Sequence, residues 1–354
     1  MRKRSNYFVA ACVLVAVSVA CKKNKTGGDP ADESQPVVNT DVYEPVVPQG
    51  WPNPYYSFQA NDVSKSKFTL GRYLFYETML SEDSTVSCGS CHQQVFAFSN
   101  GPDHKTSHGV HDLIGKRNSP VIFNLTWHTQ LMWDGRSSNI ENQPIGPIEN
   151  PIEMNLQLGT AVSRLAYSTK YKQLFKEAFG DTVVNSQRML KAFAQFMGLM
   201  VSNQSKYDKV KRGDDTFTAS ENAGYELYKS KCASCHVEPL FSDFKSRSNG
   251  LPPSGYQDSG VYNISFNTSD IYKFKTPSLR NLGFSAPYMH DGRFGALSEV
   301  LNHYAIGTTN KTNIDPLLMN GISLTEQEKT DIISFLGTLN DYVFINNERF
   351  KEIH

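Results

Sequence analysis

Two short cysteine motifs constrain this chain more than any other feature of its sequence. Each has the form C-x-x-C-H, and they lie at positions 88–92 and 232–236. Two thiols at this spacing reach the two vinyl groups of one haem, and the adjacent histidine then becomes an axial ligand of the iron. Paired cysteines also occur in zinc sites and redox dithiols, but neither explains a histidine directly after both pairs. The motifs therefore predict two covalently attached c-type haems, held by Cys88, Cys91 and His92 and by Cys232, Cys235 and His236.

The first 21 residues have the pattern of an export signal. Three basic residues at 2–4 precede an apolar run over 7–20, which is too short to span a bilayer. Small residues then lead into Cys21, which resembles the cysteine that is lipidated in bacterial lipoprotein signals. A polar, proline-rich tether follows over 22–50. The sequence predicts a signal peptide over 1–21, a lipid anchor on Cys21 and a periplasmic or other extracytoplasmic location; an ordinary secretory signal is the alternative.

The charge balance argues against a nucleic-acid partner. The 354 residues include 35 basic and 35 acidic side chains, and the part after the first 21 residues keeps 32 basic against 35 acidic ones. Domains that bind nucleic acid usually carry a basic face, and this sequence has no basic block. No later stretch is apolar enough for a transmembrane helix. We therefore expect membrane contact through the lipid anchor alone and no binding of nucleic acid.

An internal repeat relates the two parts of the chain that carry the cysteine motifs. The segment at 118–124 aligns with 275–281, and the segment at 133–136 aligns with 290–293. Both pairs differ by the same 157 positions. One offset without gaps across both segments is hard to reach by chance. The repeat therefore indicates a duplicated haem-binding unit.

The remaining pattern is helical. Apolar residues recur at helical spacing over 187–201, and a capping-box pattern at 323–326 predicts a helix that runs to Leu339. Long alternating strand patterns do not occur. The predicted fold is therefore mostly α, with long loops and two cytochrome-c-like haem domains that are related by duplication, at 51–215 and 216–354.

As an ordered set, the motifs resemble those of the bacterial dihaem cytochrome c peroxidases and their MauG relatives. The resemblance extends over 54–337 and includes Trp-Asp-Gly-Arg at 133–136, Gly-Pro-Ile at 146–148, Glu-Met at 153–154 and Pro-Tyr-Met-His-Asp-Gly at 287–292. It implies an enzyme that reduces hydrogen peroxide to water with electrons from a small redox protein, such as a cytochrome c or a cupredoxin.

Two other functions stay open at this point. A MauG-like enzyme would use the same oxidising haem pair to modify a partner protein. A pure electron-transfer cytochrome is a third hypothesis, but a carrier needs no acid–base group beside its haem, and the family pattern supplies Glu153 and Gln143. Dimers are common among the resembling proteins, so a homodimer is one expectation.

The resemblance assigns the peroxide chemistry to the first haem and electron entry to the second. His92 and His236 would be the proximal ligands of the two irons. Glu153 aligns with a distal carboxylate, which can take a proton from the inner peroxide oxygen and deliver it to the departing one. Gln143 matches a distal amide of the family. Trp133 corresponds to a tryptophan that lies between the two haems and carries electrons; a buried core aromatic is the alternative, and the two interpretations are compatible.

Three further residues match positions that help to bind a calcium ion between the domains of the resembling proteins. Asn118 would contribute its side chain, and Ser285 and Pro287 would contribute backbone carbonyls. Calcium takes such oxygen ligands readily. The resemblance therefore implies one calcium ion besides the two haems.

A loop at 99–117 raises the question of a sixth ligand for the first iron. Many peroxidases of this family cap the resting iron with a histidine on a mobile loop. The loop here holds His104, His108 and His111, of which His108 is best placed. A histidine on a surface loop is as often a plain polar residue.

The sixth ligand of the second iron is the sharper question. Many peroxidases of the family have a methionine fourteen residues after the histidine of the His-Asp-Gly motif, and fourteen residues after His290 is Tyr304. MauG-type enzymes have a tyrosine ligand there, and Met289 and His303 stay alternatives. The repeat partner of Tyr304 is Pro147, which cannot bind iron. Tyrosinate stabilises oxidised iron, whereas methionine raises the potential.

Overall fold

Helices carry most of the regular structure of this protein in the computed structural model, which describes residues 43–255 and 257–353. The α-helices of the first part are α1 (Lys65–Phe75), α2 (Cys88–Cys91), α3 (Ile145–Glu149), α4 (Leu158–Tyr167), α5 (Thr169–Phe179) and α6 (Ser186–Gly198). Those of the second part are α7 (Lys206–Arg212), α8 (Ala219–Lys231), α9 (Tyr262–Ser265), α10 (Leu297–Asn302), α11 (Glu326–Gly337) and α12 (Tyr342–Ile345). Strands β1 (Ser246–Arg247) and β2 (Phe274–Lys275) pair antiparallel. The prediction of a mostly helical fold is confirmed.

Two helix predictions can be compared with the structure in detail. The helix predicted over 187–201 is α6. The predicted helix near the C-terminus is α11, but the capping box predicted at 323–326 is wrong by two residues. Thr325 accepts a hydrogen bond from the backbone of Glu328, and the Glu328 carboxylate accepts one from the Thr325 backbone at 2.7 Å. The helix therefore begins with the Thr-x-x-Glu capping box at 325–328, two residues after the Ser-x-x-Glu pattern predicted at 323–326.

Each part of the chain contains one close helix crossing that depends on glycine. In the first part α1 crosses α6, and a Cβ atom at Gly71 would overlap the carbonyl oxygen of Ala192. In the second part α8 crosses α11, and a Cβ atom at Gly224 would overlap the carbonyl oxygen of Asp331. The two backbones approach so closely that only glycine fits at either crossing.

Two separate apolar cores surround these crossings. The first core includes Phe68, Phe75 and Phe196, and the second includes Tyr228 and Phe335. The C-terminal segment leaves the second core and returns to the first, since the first core also contains Phe344 and Phe350. The Tyr76 hydroxyl donates to the Phe350 carbonyl at 2.7 Å and helps to fix that return.

Two asparagines of the repeat hold the segment between the cores. Asn124 and Asn281 both have left-handed backbone conformations, with φ of 54° and 61°. Asn124 accepts a hydrogen bond from the backbone N–H of Ser202 at 2.9 Å, and Asn281 donates one to the Ser202 hydroxyl at 3.0 Å. The Asn281 side chain also accepts from the backbone N–H of Asp341 at 2.8 Å. The equivalent asparagines therefore meet at a single linker residue.

Candidate haem centres

The first centre, formed by Cys88, Cys91 and His92, lies on and just after the short helix α2. His92 Nδ1 lies 2.7 Å from the carbonyl oxygen of Phe98, and the Pro120 carbonyl also bonds this ring. Burial lowers the pKa of His92 to about 4, so the ring is neutral at physiological pH. A neutral ring that donates from Nδ1 has its lone pair on Nε2, which is the state that binds iron.

The second centre, formed by Cys232, Cys235 and His236, follows the end of α8. His236 Nδ1 lies 3.2 Å from the Phe241 carbonyl oxygen and 3.1 Å from the Pro277 carbonyl oxygen. Burial lowers the pKa of His236 as well. Pro277 is the repeat partner of Pro120 in the first centre. Both centres therefore orient the histidine with a carbonyl at the same repeat position.

The residues around both centres fit a c-type haem. A cavity of about 250 Å³ lies beside the second centre and is lined by both thiols and His236. Its apolar wall includes Leu279, Leu282, Leu297 and Leu301. At the first centre, burial raises the pKa of the Cys88 thiol to about 12 and that of Cys91 to about 11, so both are neutral. Neutral thiols, a neutral imidazole and apolar walls suit a large, flat, mostly apolar cofactor.

The three candidate sixth ligands of the second iron occupy different positions. Tyr304 and Met289 both line the cavity of the second centre. Burial raises the pKa of Tyr304, while a hydrogen bond with Asn249 acts in the opposite direction. His303 is not among the described residues that line this cavity, and its Nε2 lies 3.0 Å from the backbone carbonyl oxygen of Asn249. The structure therefore places Tyr304 and Met289 in the cavity lining and holds His303 behind it, against the backbone of Asn249.

Asn249 is a functional candidate that the sequence analysis missed. Its amide nitrogen lies 3.6 Å from the Met289 sulfur, its carbonyl oxygen contacts His303, and its side chain bonds Tyr304. It therefore touches all three candidate ligands. No motif or periodicity marks this residue, which lies in a polar segment after β1.

Glu153 lies beside the first centre. Burial raises its pKa, although a hydrogen bond from Asn150 Nδ2 to its Oε1 at 2.7 Å acts to lower it. The carboxylate in turn contributes to the raised pKa values of both Cys88 and Cys91. A half-buried carboxylate with a raised pKa next to a candidate haem centre can both accept and release a proton.

The loop at 99–117 packs against Glu153 and the first centre. The backbone N–H of Val110 donates to the Glu153 carbonyl at 2.7 Å, and a Cβ atom at Gly109 would overlap that same backbone. The His108 carbonyl oxygen lies 3.5 Å from Cys91 Sγ, and the rings of His104 and His108 are 4.2 Å apart. The loop therefore holds His108 close to the first centre. His111 points to the surface and lies 3.3 Å from Glu82.

Gln143 and Glu153 have different partners. The Gln143 amide nitrogen lies 3.3 Å from the sulfur of Met132, whereas Glu153 bonds Asn150. The family pattern places these two side chains in one distal pocket, but no direct hydrogen bond joins them in the described residues.

Trp133 lies between the two repeat units. It lines the cavity of the second centre, and its Nε1 donates to the Asn118 carbonyl at 2.8 Å. Its own carbonyl accepts a hydrogen bond from the backbone of Lys275 in β2 at 2.7 Å. The ring is 6.5 Å from the His290 ring, which stacks on Phe274 at 3.8 Å. Hydrogen bonds to both repeat units therefore fix the tryptophan.

The three residues predicted for calcium lie together. Asn118, Ser285 and Pro287 all line the cavity of the second centre. The Asn118 amide nitrogen donates to the Lys105 carbonyl at 3.2 Å, which leaves the side-chain oxygen available to a cation. The arrangement is compatible with oxygen ligation, but it holds no carboxylate.

The predictions for the N-terminus concern residues that the structure does not describe. Cys21, the signal peptide over 1–21 and most of the tether over 22–50 lie outside 43–255 and 257–353. Across those described ranges, none of the helices has the length and apolar character needed to cross a bilayer.

Comparison with known proteins supplies independent information. The family profile of the di-haem cytochrome c peroxidases matches residues 65–216. The chain is 34% identical over 296 residues to the methylamine utilization protein MauG of Methylorubrum extorquens, with 82% of each chain covered. It is 32% identical over 281 residues to the cytochrome c551 peroxidase of Nitrosomonas europaea, with 76% of this chain and 78% of that one covered.

Solved structures agree with these relatives. A crystal structure of a MauG-like protein associated with microbial copper homeostasis has a TM-score of 0.78 and 30% identity, over 86% of this chain and 98% of that one. The diheme peroxidase BthA of Burkholderia thailandensis has a TM-score of 0.70 at 20% identity, over 82% of this chain and 90% of that one, which supports the fold alone.

Proposed function

The chain belongs to the di-haem cytochrome c peroxidase family, which includes MauG, and we propose on this premise that its first centre reduces hydrogen peroxide to water. Electrons come from a small redox protein, such as a cytochrome c or a cupredoxin, and enter at the second centre. The observation that carries this proposal is Glu153, a half-buried carboxylate with a raised pKa that lies beside the first centre. Its repeat partner in the second part is Asn310, so only the first part has this acid–base group.

Bound haem supplies an iron that binds peroxide and exchanges electrons. The residues of this chain supply the protons and the path. Glu153 accepts the proton from the inner peroxide oxygen and delivers it to the departing oxygen, while Asn150 orients the carboxylate. Trp133, held by hydrogen bonds to both repeat units, is the route for electrons between the centres. In the balanced reaction one peroxide, two electrons and two protons give two waters.

The proposal is tested by Glu153→Gln in the holoprotein. We expect both haems to remain attached and peroxide turnover with a reduced cytochrome c to fall by about 10²–10⁴-fold, because the substituted amide cannot transfer the proton. Glu149→Gln is the matched control, since Glu149 is an exposed carboxylate four positions away on α3. Wild-type turnover in Glu153→Gln would contradict the assigned mechanism.

A MauG-like modification of a partner protein is a second candidate, and one observation favours it. Tyr304 lines the cavity of the second centre, where a tyrosinate ligand would stabilise oxidised iron. Stopped-flow mixing of the oxidised holoprotein with stoichiometric peroxide separates the candidates. A rapid spectral change without prior reduction supports the MauG-like function. A requirement for one-electron reduction supports a peroxidase whose first iron is capped by a loop histidine, which we assign to His108.

The proposed organisation is two cytochrome-c-like haem domains at 51–215 and 216–354, related by duplication and connected by long loops. The shared helix crossings at Gly71 and Gly224 and the shared carbonyl contacts to the two motif histidines support a duplication. The C-terminal return to the first core means that the second domain ends on the first.

The proposal also includes features of the cellular setting. We assign Cys21 as the lipid anchor of an extracytoplasmic, periplasm-facing protein with no further membrane contact. A calcium ion would bind at Asn118, Ser285 and Pro287, and the protein would form a homodimer. Mass spectrometry of the mature protein, calcium analysis and sedimentation test these three features separately.

A further inference from the structure

Lys275 is a buried lysine inside the cavity of the second centre. The residue is only 7% exposed, and it lines the same cavity as Cys232, Cys235 and His236. Its backbone is fixed on two sides, because it pairs with Ser246 in the small sheet and donates its N–H to the Trp133 carbonyl. The backbone of Lys275 therefore cannot move away from the cavity wall without disturbing the sheet.

The charges that line this cavity are unbalanced. Among the described residues, its lining includes three basic side chains and no carboxylate. Two of the three are already paired. Lys231 lies 3.4 Å from a Glu328 oxygen, and Arg247 lies 2.6 Å from Asp243.

The ammonium group of Lys275 has no such partner. Within the described residues it makes no hydrogen bond or ion pair, and it lies over the face of the Phe244 ring, 5.8 Å from the ring centroid. The nearby His128 offers no negative charge, since burial and the charge of Lys275 keep the pKa of its ring well below the usual value. A buried ammonium without a partner is unfavourable. Burial alone lowers the pKa of Lys275 to about 8, so the group is still charged at neutral pH.

We propose that Lys275 binds a carboxylate in this cavity, and that the carboxylate is a propionate of the second haem. The inference rests on the proposed function in one respect, namely that a haem occupies the second centre. Haem carries two propionates, and this cavity presents to them one buried, unpaired cation and no competing carboxylate. The repeat partner of Lys275 is Asn118, whose amide donates to the Lys105 carbonyl, so the cation belongs to the second part of the chain only.

The expected consequence is a change in the second haem potential. Lys275 neutralises a negative charge near the iron, and removing the lysine leaves that charge unpaired in a poorly solvated cavity. Negative charge favours the oxidised iron, so the potential should fall. The cation itself raises the potential, whereas a tyrosinate ligand lowers it, and Lys275 therefore limits how far Tyr304 lowers the potential.

The test uses the holoprotein with Lys275→Met, Lys275→Arg and Lys273→Met, each studied by spectroelectrochemical titration after the covalent haem has been counted. Lys273, two positions before Lys275, is the matched control, because its ammonium pairs with Asp270 at 3.2 Å. We expect two haems in every protein and a fall in the second potential in Lys275→Met. The potential should be largely retained in Lys275→Arg and unchanged in Lys273→Met.

Each outcome has one meaning. An unchanged second potential in Lys275→Met with two haems attached overturns the inference. A wild-type protein with fewer than two haems contradicts the proposed function instead. A wild-type potential that shifts with added acetate or phosphate means that Lys275 binds a free solute anion, which also overturns the propionate assignment. If Lys275→Met does not fold, Lys275→Gln provides the same test with a neutral polar side chain.

Discussion

The two parts of this chain place very different side chains at one repeat position. In the first part the position is Phe123, which is buried and packs edge-on against Phe344 at 5.7 Å. In the second part it is Arg280, which is fully buried and forms two hydrogen bonds to Asp208, at 2.7 and 2.9 Å. The same backbone position therefore accepts an aromatic ring or an ion pair, because the surrounding residues satisfy either one.

The two candidate centres also have different side chains at equivalent repeat positions. Beside the first centre lies the carboxylate of Glu153, and its repeat partner Asn310 donates to a backbone carbonyl at 3.1 Å. Beside the second centre lies the cation of Lys275, and its repeat partner is Asn118. The histidine and its supporting carbonyl are common to both centres. The comparison shows that both centres share a histidine and its supporting carbonyl, whereas Glu153 and Lys275 each occur at one centre only; under the proposed function these two residues distinguish the centres.

Removing the cysteines of one centre should have the largest effect on haem content and activity, and it tests whether the two centres differ in function. We expect Cys88→Ser/Cys91→Ser and Cys232→Ser/Cys235→Ser each to reduce the covalent haem from two to one, measured by mass spectrometry of the intact protein. The first variant should lose its reaction with peroxide. The second should keep that reaction at its first centre but lose turnover with a reduced cytochrome. Identical kinetic defects in the two variants would show that the centres are not specialised.

Substitution at the Phe123 and Arg280 positions should have the next largest effect. Arg280→Met should lower the free energy of unfolding by about 3–5 kcal/mol, because Asp208 would be left buried and unpaired. Phe123→Met keeps an apolar side chain of similar volume and should cost about 1.5 kcal/mol or less. Urea unfolding of the holoproteins measures both values. Equal costs would mean that the ion pair is no more demanding than the aromatic contact.

The loss in free energy of unfolding caused by Arg280→Met should depend on pH. Burial acts to raise the pKa of Asp208, but the hydrogen bonds and charge of Arg280 outweigh it and hold the pKa below its usual value. A carboxyl with a lowered folded-state pKa stabilises the protein above its unfolded pKa, about 3.9, and this stability is lost on further acidification. The difference between wild type and Arg280→Met should therefore narrow below about pH 4.

Substitutions at the two helix crossings should have the smallest effect on stability. The two crossings should also respond alike. Gly71→Ala and Gly224→Ala should each cost about 1–3 kcal/mol, because the added Cβ overlaps a backbone carbonyl oxygen. Gly159→Ala in α4 is the control, since no atom lies within 4 Å of its Cβ position, and it should stabilise by about 0.5–1 kcal/mol. Thermal unfolding measures all three. A large loss of stability at one crossing and not at the other would contradict the structural equivalence of the two crossings.

Local patterns in the sequence were sufficient for several conclusions. The C-x-x-C-H spacing predicts haem attachment because the chemistry needs those residues next to one another in the chain. The 157-residue offset, the helical periodicity over 187–201 and the family resemblance likewise need no long-range contact. The helix after position 323 was predicted correctly as a helix, but its first residue depends on which of two similar patterns caps it, and the folded chain uses Thr325.

Only the tertiary structure decided which distant residues meet. Asn249 contacts three candidate ligands that lie 40 or more positions further along the chain. Among the described residues Lys275 has no ion pair, because no carboxylate lines its cavity and the two other cations of the lining pair with Glu328 and Asp243. Phe344 and Phe350 return to the first core although they follow the second. Spacing along a sequence predicts which residues are neighbours within a helix or a motif. The pairing of buried charges and the completion of an apolar core depend on packing between segments that are far apart in the sequence.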